Sequence, residues 1–124
     1  MDSKYLFEAM NIPDDIPDEN KNGNCYQAAL HKFMEDPQRY TLVHGVVTGQ
    51  GAVSGIQYGH AWVEDGDTII DMTLPPQMQR LPKPAYYAIG HIKITRRYGP
   101  DDVLEMLDEY GTYGPWDEVF DDYY

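Results

Sequence analysis

Apolar residues recur at helical spacing in two stretches of the chain. The first stretch follows an i, i+3, i+4, i+7, i+8 pattern: Tyr26, Ala29, Leu30, Phe33 and Met34. It predicts an amphipathic helix with Asn22 or Asn24 as its N-cap and Pro37 beyond its end. The second predicted helix starts at Pro100 and ends at Gly111. Its inward-facing positions are Val103, Leu104, Met106, Leu107 and Tyr110.

Shorter patterns lie near both ends of the chain. Ser3 can cap a short helix that carries Leu6, Ala9 and Met10, and residues 11–24 predict an irregular loop. Pro115 can start a final short helix.

Between the two main helices the pattern changes to one typical of strands. Four segments are rich in β-branched and aromatic residues: 40–48, 56–64, 67–73 and 86–97. The segment 74–84 contains four prolines and predicts a loop or an edge strand. The order of elements therefore predicts an α+β fold with a mainly antiparallel sheet of about four strands.

Length and composition fit a single domain over residues 1–124. The chain has 124 residues, of which 42% are hydrophobic, enough for a true core. We expect that core within residues 22–97 and an acidic helical segment over residues 98–124. No apolar run is long enough for a membrane helix, and Met1–Met10 lacks a signal-peptide pattern. We therefore expect a cytoplasmic protein that does not bind membranes.

Charge is concentrated at the ends of the chain. The net charge is −12, and residues 98–124 hold nine acidic residues without any Lys or Arg. This balance disfavours binding to nucleic acid phosphates and to anionic lipids. The acidic ends have two interpretations: they keep a small domain soluble, or they bind a basic partner and so mimic DNA. For a substrate, the negative exterior favours a basic peptide or protein.

The cysteine count narrows the possible chemistry. Cys25 is the single cysteine, which excludes an internal disulfide and any zinc site that needs two thiolates. No two histidines share a short spacing typical of metal ligands. We therefore expect neither a metal nor another cofactor.

Cys25 is predicted to lie in the first turn of its helix. The free N–H groups and the positive end of the helix dipole favour the thiolate there, which is the nucleophilic form. The same N–H groups can stabilise a developing oxyanion. The alternative is that Cys25 is a small buried apolar residue.

Turn chemistry predicts a histidine–carboxylate pair. A two-residue turn at Asp65-Gly66 places His60 directly opposite Asp71 on one face of a hairpin, with Trp62 on the same face. The carboxylate would fix the tautomer of the imidazole and leave its other nitrogen available as a base. A structural polar contact without catalysis is the alternative.

Three sequence segments together resemble a known superfamily. They are Asn24-Cys25-Tyr26-Gln27-Ala28-Ala29, Gly59-His60-Ala61-Trp62-Val63-Glu64 and Ile69-Ile70-Asp71-Met72-Thr73. Together they resemble the transglutaminase-like, papain-like cysteine peptidases over residues 22–75. The resemblance implies a papain-like core, in which a catalytic helix packs on the sheet, and a thiol enzyme that forms a thioester intermediate.

Roles follow from that resemblance residue by residue. It implies that Cys25 is the nucleophile, His60 the general base and acid, and Asp71 the orienting carboxylate. Papain-like enzymes have an oxyanion-binding glutamine shortly before the cysteine; here Asn20, Asn22 and Asn24 occupy that region, so these side chains or backbone N–H groups are the candidates.

Trp62 and Tyr58 are further candidates for binding substrate. The function expected is that of a cysteine-dependent hydrolase or acyltransferase. The alternative is an acidic binding or inhibitor protein on a catalytically inert papain-like fold.

Overall fold

The computed structural model describes residues 21–49 and 55–123. The helices are α1 (Lys21–Glu35), α2 (Lys83–Ile89) and α3 (Pro100–Tyr110). The strands are β1 (Thr41–Thr48), β2 (Gln57–Asp65), β3 (Thr68–Ile70), β4 (Arg80–Pro82) and β5 (Thr95–Tyr98). Short 3-10 turns cover Pro76–Met78 and Glu118–Phe120. The predicted helix after Ser3 and the loop up to residue 20 lie outside the described residues.

The five strands form one antiparallel sheet in the order β4-β3-β2-β1-β5. β1 and β2 pair over eight residues and form its centre. The proline-rich segment contributes the edge strand β4, which agrees with the prediction of a loop or an edge strand. Proline fits there because an edge strand need not donate every backbone N–H.

The sheet has a core on each face. Residues of α1 pack on one face, which presents Leu42, Ala61, Val63 and Ile70. Residues of α2 pack on the other face, which presents Val43, Val47, Trp62 and Ile69. Adjacent strand residues point to opposite faces, so a strand buried on both sides contains a continuous apolar run.

The prediction of one strand over residues 86–97 was wrong. This segment forms the end of α2, a connection, and then β5. Pro84 lies in the first turn of α2, where its fixed φ and missing N–H suit a helix. The helix places the adjacent residues Tyr86 and Tyr87 together against the apolar face around Trp62, which a strand would not do. The sheet consequently has five strands instead of about four.

The ends of the other helices agree with the sequence only in part. The predicted caps Asn22 and Asn24 are wrong, because α1 already includes Lys21. The predicted place of Cys25 in the first turn is also wrong: it is the fifth residue of α1 and lies just beyond that turn.

α3 starts at Pro100 and is followed by Gly111 with φ +67, as predicted. The prediction that Leu104 and Tyr110 face inward is wrong, because both are exposed, whereas Val103 is buried. The final helical turn begins at Glu118 rather than Pro115.

The core extends beyond the predicted range of residues 22–97 into the acidic C-terminal segment. Val103 of α3 and Trp116 are buried in the same cluster as the inner side of α1. Arg96 binds Asp117 through a 2.7 Å ion pair, so the segment is also held to β5. Over the described residues, none of the helices combines the length and apolar character needed to span a bilayer.

Candidate active site

The β2–β3 hairpin has a different register from the predicted one. Asp65 pairs with Thr68, so the turn residues are Gly66 and Asp67. Gly66 has φ +59, while Asp67 is not among the described non-glycine residues with positive φ, a pattern typical of a type II′ turn. The shift is two residues, and a two-residue shift keeps every side chain on its predicted face. Asp71 is therefore diagonal to His60 and not directly opposite.

His60 and Asp71 nevertheless form a hydrogen bond. Nε2 of His60 lies 2.9 Å from Oδ2 of Asp71. Thr73 donates to Oδ1 of Asp71 from its backbone N at 3.0 Å and from its hydroxyl at 2.7 Å. Tyr86 donates its hydroxyl to Oδ2 at 2.6 Å. Asp71 is thus fixed by three residues, and it orients the imidazole.

The two groups perturb each other's protonation. Burial raises the pKa of Asp71, but the charge of His60 and the hydrogen bonds from His60, Tyr86 and Thr73 lower it to about 2. Burial lowers the pKa of His60, but the charges and hydrogen bonds of Asp71 and Cys25 raise it well above its ordinary value. The pair is therefore a carboxylate and an imidazolium at neutral pH.

Cys25 of α1 interacts with this imidazole. A side-chain hydrogen bond and a charge interaction with Cys25 are both among the causes that raise the pKa of His60. Nδ1 of His60, which Asp71 leaves open, has no partner at full hydrogen-bond geometry among the described residues. Asp71 and Cys25 therefore both act on the same imidazole.

The strand geometry explains how the three groups reach one another. Only the last three residues of β2 pair with β3. The part of β2 that carries His60 is therefore paired with β1 and not with β3. Asp71 follows directly after β3, and Cys25 lies near the N-terminal end of α1. His60 and Asp71 therefore lie together at one end of the hairpin on the α2 face, and Cys25, from the α1 face, interacts with His60 past the side of β2 that β3 does not cover.

Trp62 packs beside the pair. Its ring lies 6.2 Å from that of His60, centroid to centroid, and its Nε1 donates to Oε2 of Glu64 at 3.0 Å. Glycine is required at position 45 on β1, because a Cβ there would lie 2.4 Å from the Trp62 ring. Trp62 is fully buried, so it supports the site from within the core and does not line its surface.

Glu64 holds Trp62 in place. This buried carboxylate accepts hydrogen bonds from Arg97 and Tyr87, each at 2.6 Å, and pairs with Lys83 at 3.0 Å. Burial raises the pKa of Glu64, but these partners and Trp62 lower it below its ordinary value. The network connects β2, α2 and β5 under the site.

Tyr58 lines a cavity next to the pair. Its ring meets that of His60 edge-on at 5.9 Å. The cavity measures about 410 Å³, and His60 and Asp71 are part of its wall. Tyr58 is therefore placed to contact a bound molecule.

The remaining predicted site residues are Asn24 and Asn22. Asn24 is buried in α1 next to Cys25. Asn22 belongs to α1, and its side chain lies outside the described residues, as does Asn20.

Sequence reasoning missed the role of Tyr86, which directly contacts Asp71. The signal available was Pro84, which marks a helix start that places Tyr86 over the sheet.

Comparison of the chain with protein families, with curated proteins and with solved structures finds no match. The candidate site therefore depends on its geometry alone.

Proposed function

We propose that the protein is a cysteine-dependent hydrolase or acyltransferase that uses Cys25, His60 and Asp71. The observation that carries this proposal is the single imidazole that interacts with a carboxylate and with the only thiol of the chain. This is the arrangement in which a base activates a nucleophile while a third group orients the base.

The reaction proceeds in two halves. Cys25 and His60 share one proton, and while His60 holds it as an imidazolium the sulfur of Cys25 attacks the carbonyl carbon of an amide or ester. The tetrahedral intermediate collapses to a thioester, and the leaving amine or alcohol takes the proton from the imidazolium. Water or a second amine then gives its proton to His60 and attacks the thioester, which releases the acid or the transferred amide and restores the thiol.

Charge placement supports this scheme. The carboxylate of Asp71 stabilises the imidazolium, and an imidazolium next to a thiol favours the thiolate. Tyr86 and Thr73 hold Asp71, so the imidazole has a fixed orientation. N–H groups in the first turn of α1 and the side chain of Asn24 are the candidates for binding the oxyanion.

Burial of the nucleophile favours a second candidate function. Cys25 is 1% exposed and belongs to the apolar core on the α1 face. Acylation requires a path to this sulfur. If the sulfur stays covered, the same fold acts as a binding protein, and the His60–Asp71 pair is structural.

Alkylation by iodoacetamide separates the two functions. Labelling at neutral pH reports on one site only, because Cys25 is the single cysteine. We expect native protein to react faster than N-acetylcysteine, and His60→Ala to lose at least about tenfold of that rate. A second reaction with p-nitrophenyl acetate should leave one acetyl group on the peptide that contains Cys25.

His91→Asn is the matched control. His91 is exposed and has φ +48, a conformation that asparagine tolerates. This variant should label at the native rate. Native labelling slower than that of N-acetylcysteine, or equal labelling of His60→Ala and native protein, would refute the catalytic proposal in favour of the binding protein.

A further inference from the structure

The cavity beside the His60–Asp71 pair has an apolar wall. Its side chains include Val47 of β1, Leu81 of β4, Ile89 of α2 and Ile92. Its volume of about 410 Å³ lies within the range of cavities that bind small molecules. It is therefore large enough for an alkyl chain or an aromatic side chain.

The charged groups of the described wall already have partners. They are His60 and Asp71, which bind each other, and Asp71 also accepts from Thr73 and Tyr86. A cation in this cavity would find no unpaired carboxylate and an anion no unpaired cation, because His60 and Asp71 neutralise each other. Transfer of an unpaired charge into an apolar site is strongly unfavourable. The lining thus selects against charged groups of either sign.

Position relates the cavity to the proposed reaction. His60 contributes to its wall and interacts with Cys25 on α1. A molecule in the cavity thus lies next to the base that serves the nucleophile.

We propose that this cavity binds the acyl portion of the substrate and selects an uncharged, apolar acyl group. The assignment of the acyl portion rests on the proposed function, whereas apolar binding itself does not. The proposal differs from the expectation of a basic substrate, which came from net charge and concerns the exterior of the protein.

Binding of two matched amides to the Cys25→Ala variant tests the proposal without chemistry. Octanamide carries an apolar chain, and suberic acid monoamide has the same chain length but ends in a carboxylate. We expect octanamide to cause saturable shifts in the NMR signals of the Tyr58 and Tyr86 rings. The monoamide should bind at least about tenfold more weakly.

Two exposed aliphatic residues on helices provide a matched pair of variants. Ile89, 57% exposed, lines the cavity, whereas Leu104, 61% exposed, lies on α3 away from it. Ile89→Glu should weaken octanamide binding at least about tenfold, and Leu104→Glu should leave it unchanged. Met78→Glu, at another exposed position of the wall, repeats the test if Ile89→Glu fails to fold.

Absence of octanamide binding up to its solubility limit would overturn the proposal. Equal binding of the two amides, or equal effects of Ile89→Glu and Leu104→Glu, would do the same. Selective octanamide binding by a protein whose Cys25 is unreactive would support the apolar cavity and refute the proposed catalysis. Fast, His60-dependent labelling of Cys25 without selectivity between the two amides would support the proposed catalysis and refute the apolar cavity.

Discussion

Two histidines lie on neighbouring strands of the sheet, and both are buried: His44 on β1 and His60 on β2. They point to opposite faces. His44 lies among aromatic rings on the α1 face, with the centroids of Tyr26 and Tyr98 at 4.9 Å and that of Trp116 at 5.0 Å. His60 lies on the α2 face with Asp71 at hydrogen-bond distance.

Their protonation is opposite. Burial lowers the pKa of His44 to about 3, and neither of its nitrogens has a hydrogen-bond partner among the described residues. Burial also lowers the pKa of His60, but Asp71 and Cys25 raise it well above the ordinary value. Burial alone makes a histidine neutral, whereas burial beside a carboxylate makes it a cation. The protonation of a buried histidine therefore depends on its partner and not on how deeply it is buried.

The largest expected effect concerns His44 in acid. Between pH 6.5 and its folded pKa, the unfolded chain binds a proton that the folded protein does not, so stability falls as pH falls. From pH 6.5 to pH 4 this loss is about 3 kcal/mol. Between the same two pH values, the free energy of unfolding of His44→Phe should fall by about 3 kcal/mol less than that of the native protein. Urea unfolding at both pH values measures the difference. Equal falls in the free energy of unfolding of the native protein and the variant would show that His44 is not held neutral.

A smaller effect is expected for Asp71→Asn. The folded pKa of Asp71 is about 2, which is below the ordinary pKa of an aspartate. Its contribution to stability is therefore fully present when the pH is above that ordinary pKa, and it is lost as the pH falls towards 2. At pH 7 the free energy of unfolding of the variant should be about 2 kcal/mol lower than that of the native protein. Its labelling rate should fall as well, because the charge that stabilises the imidazolium is gone. Unchanged labelling with reduced stability would make the pair purely structural.

The smallest effect is expected for Tyr86→Phe. This change removes one of the hydrogen bonds to Asp71 and should lower the free energy of unfolding by about 1 kcal/mol. Tyr110→Phe is the control, since Tyr110 is exposed on α3. Equal stability of the two variants in urea would show that the Tyr86 hydroxyl contributes nothing.

Sequence reasoning found the His60–Asp71 pair for a reason that tolerated an error. The predicted turn was displaced by one residue on each strand, which shifts the pairing by two and preserves the faces. A one-residue shift would have separated the side chains by the thickness of the sheet. The alternation of side chains thus predicted the neighbourhood of the two groups, while turn type fixed their diagonal arrangement.

Other features of the site could not be read in the same way. Tyr86, Ala88 and Gly90 alternate as in a strand, and only Pro84 indicates the helix that forms. The contact between Cys25 and His60 joins a helix to a strand, and its distance depends on tertiary packing, which local periodicity does not encode. Sequence patterns therefore supplied the candidate groups, and packing decided how they meet.

Titration of the histidine ring signals by NMR tests the central claim most directly, because one experiment measures both His44 and His60. The account predicts that His60 titrates well above pH 6.5 and that its pKa falls in Asp71→Asn. It also predicts that His44 stays neutral down to about pH 3. A His60 ring that titrates at or below pH 6.5 in the native protein would contradict the imidazolium on which the proposed catalysis depends.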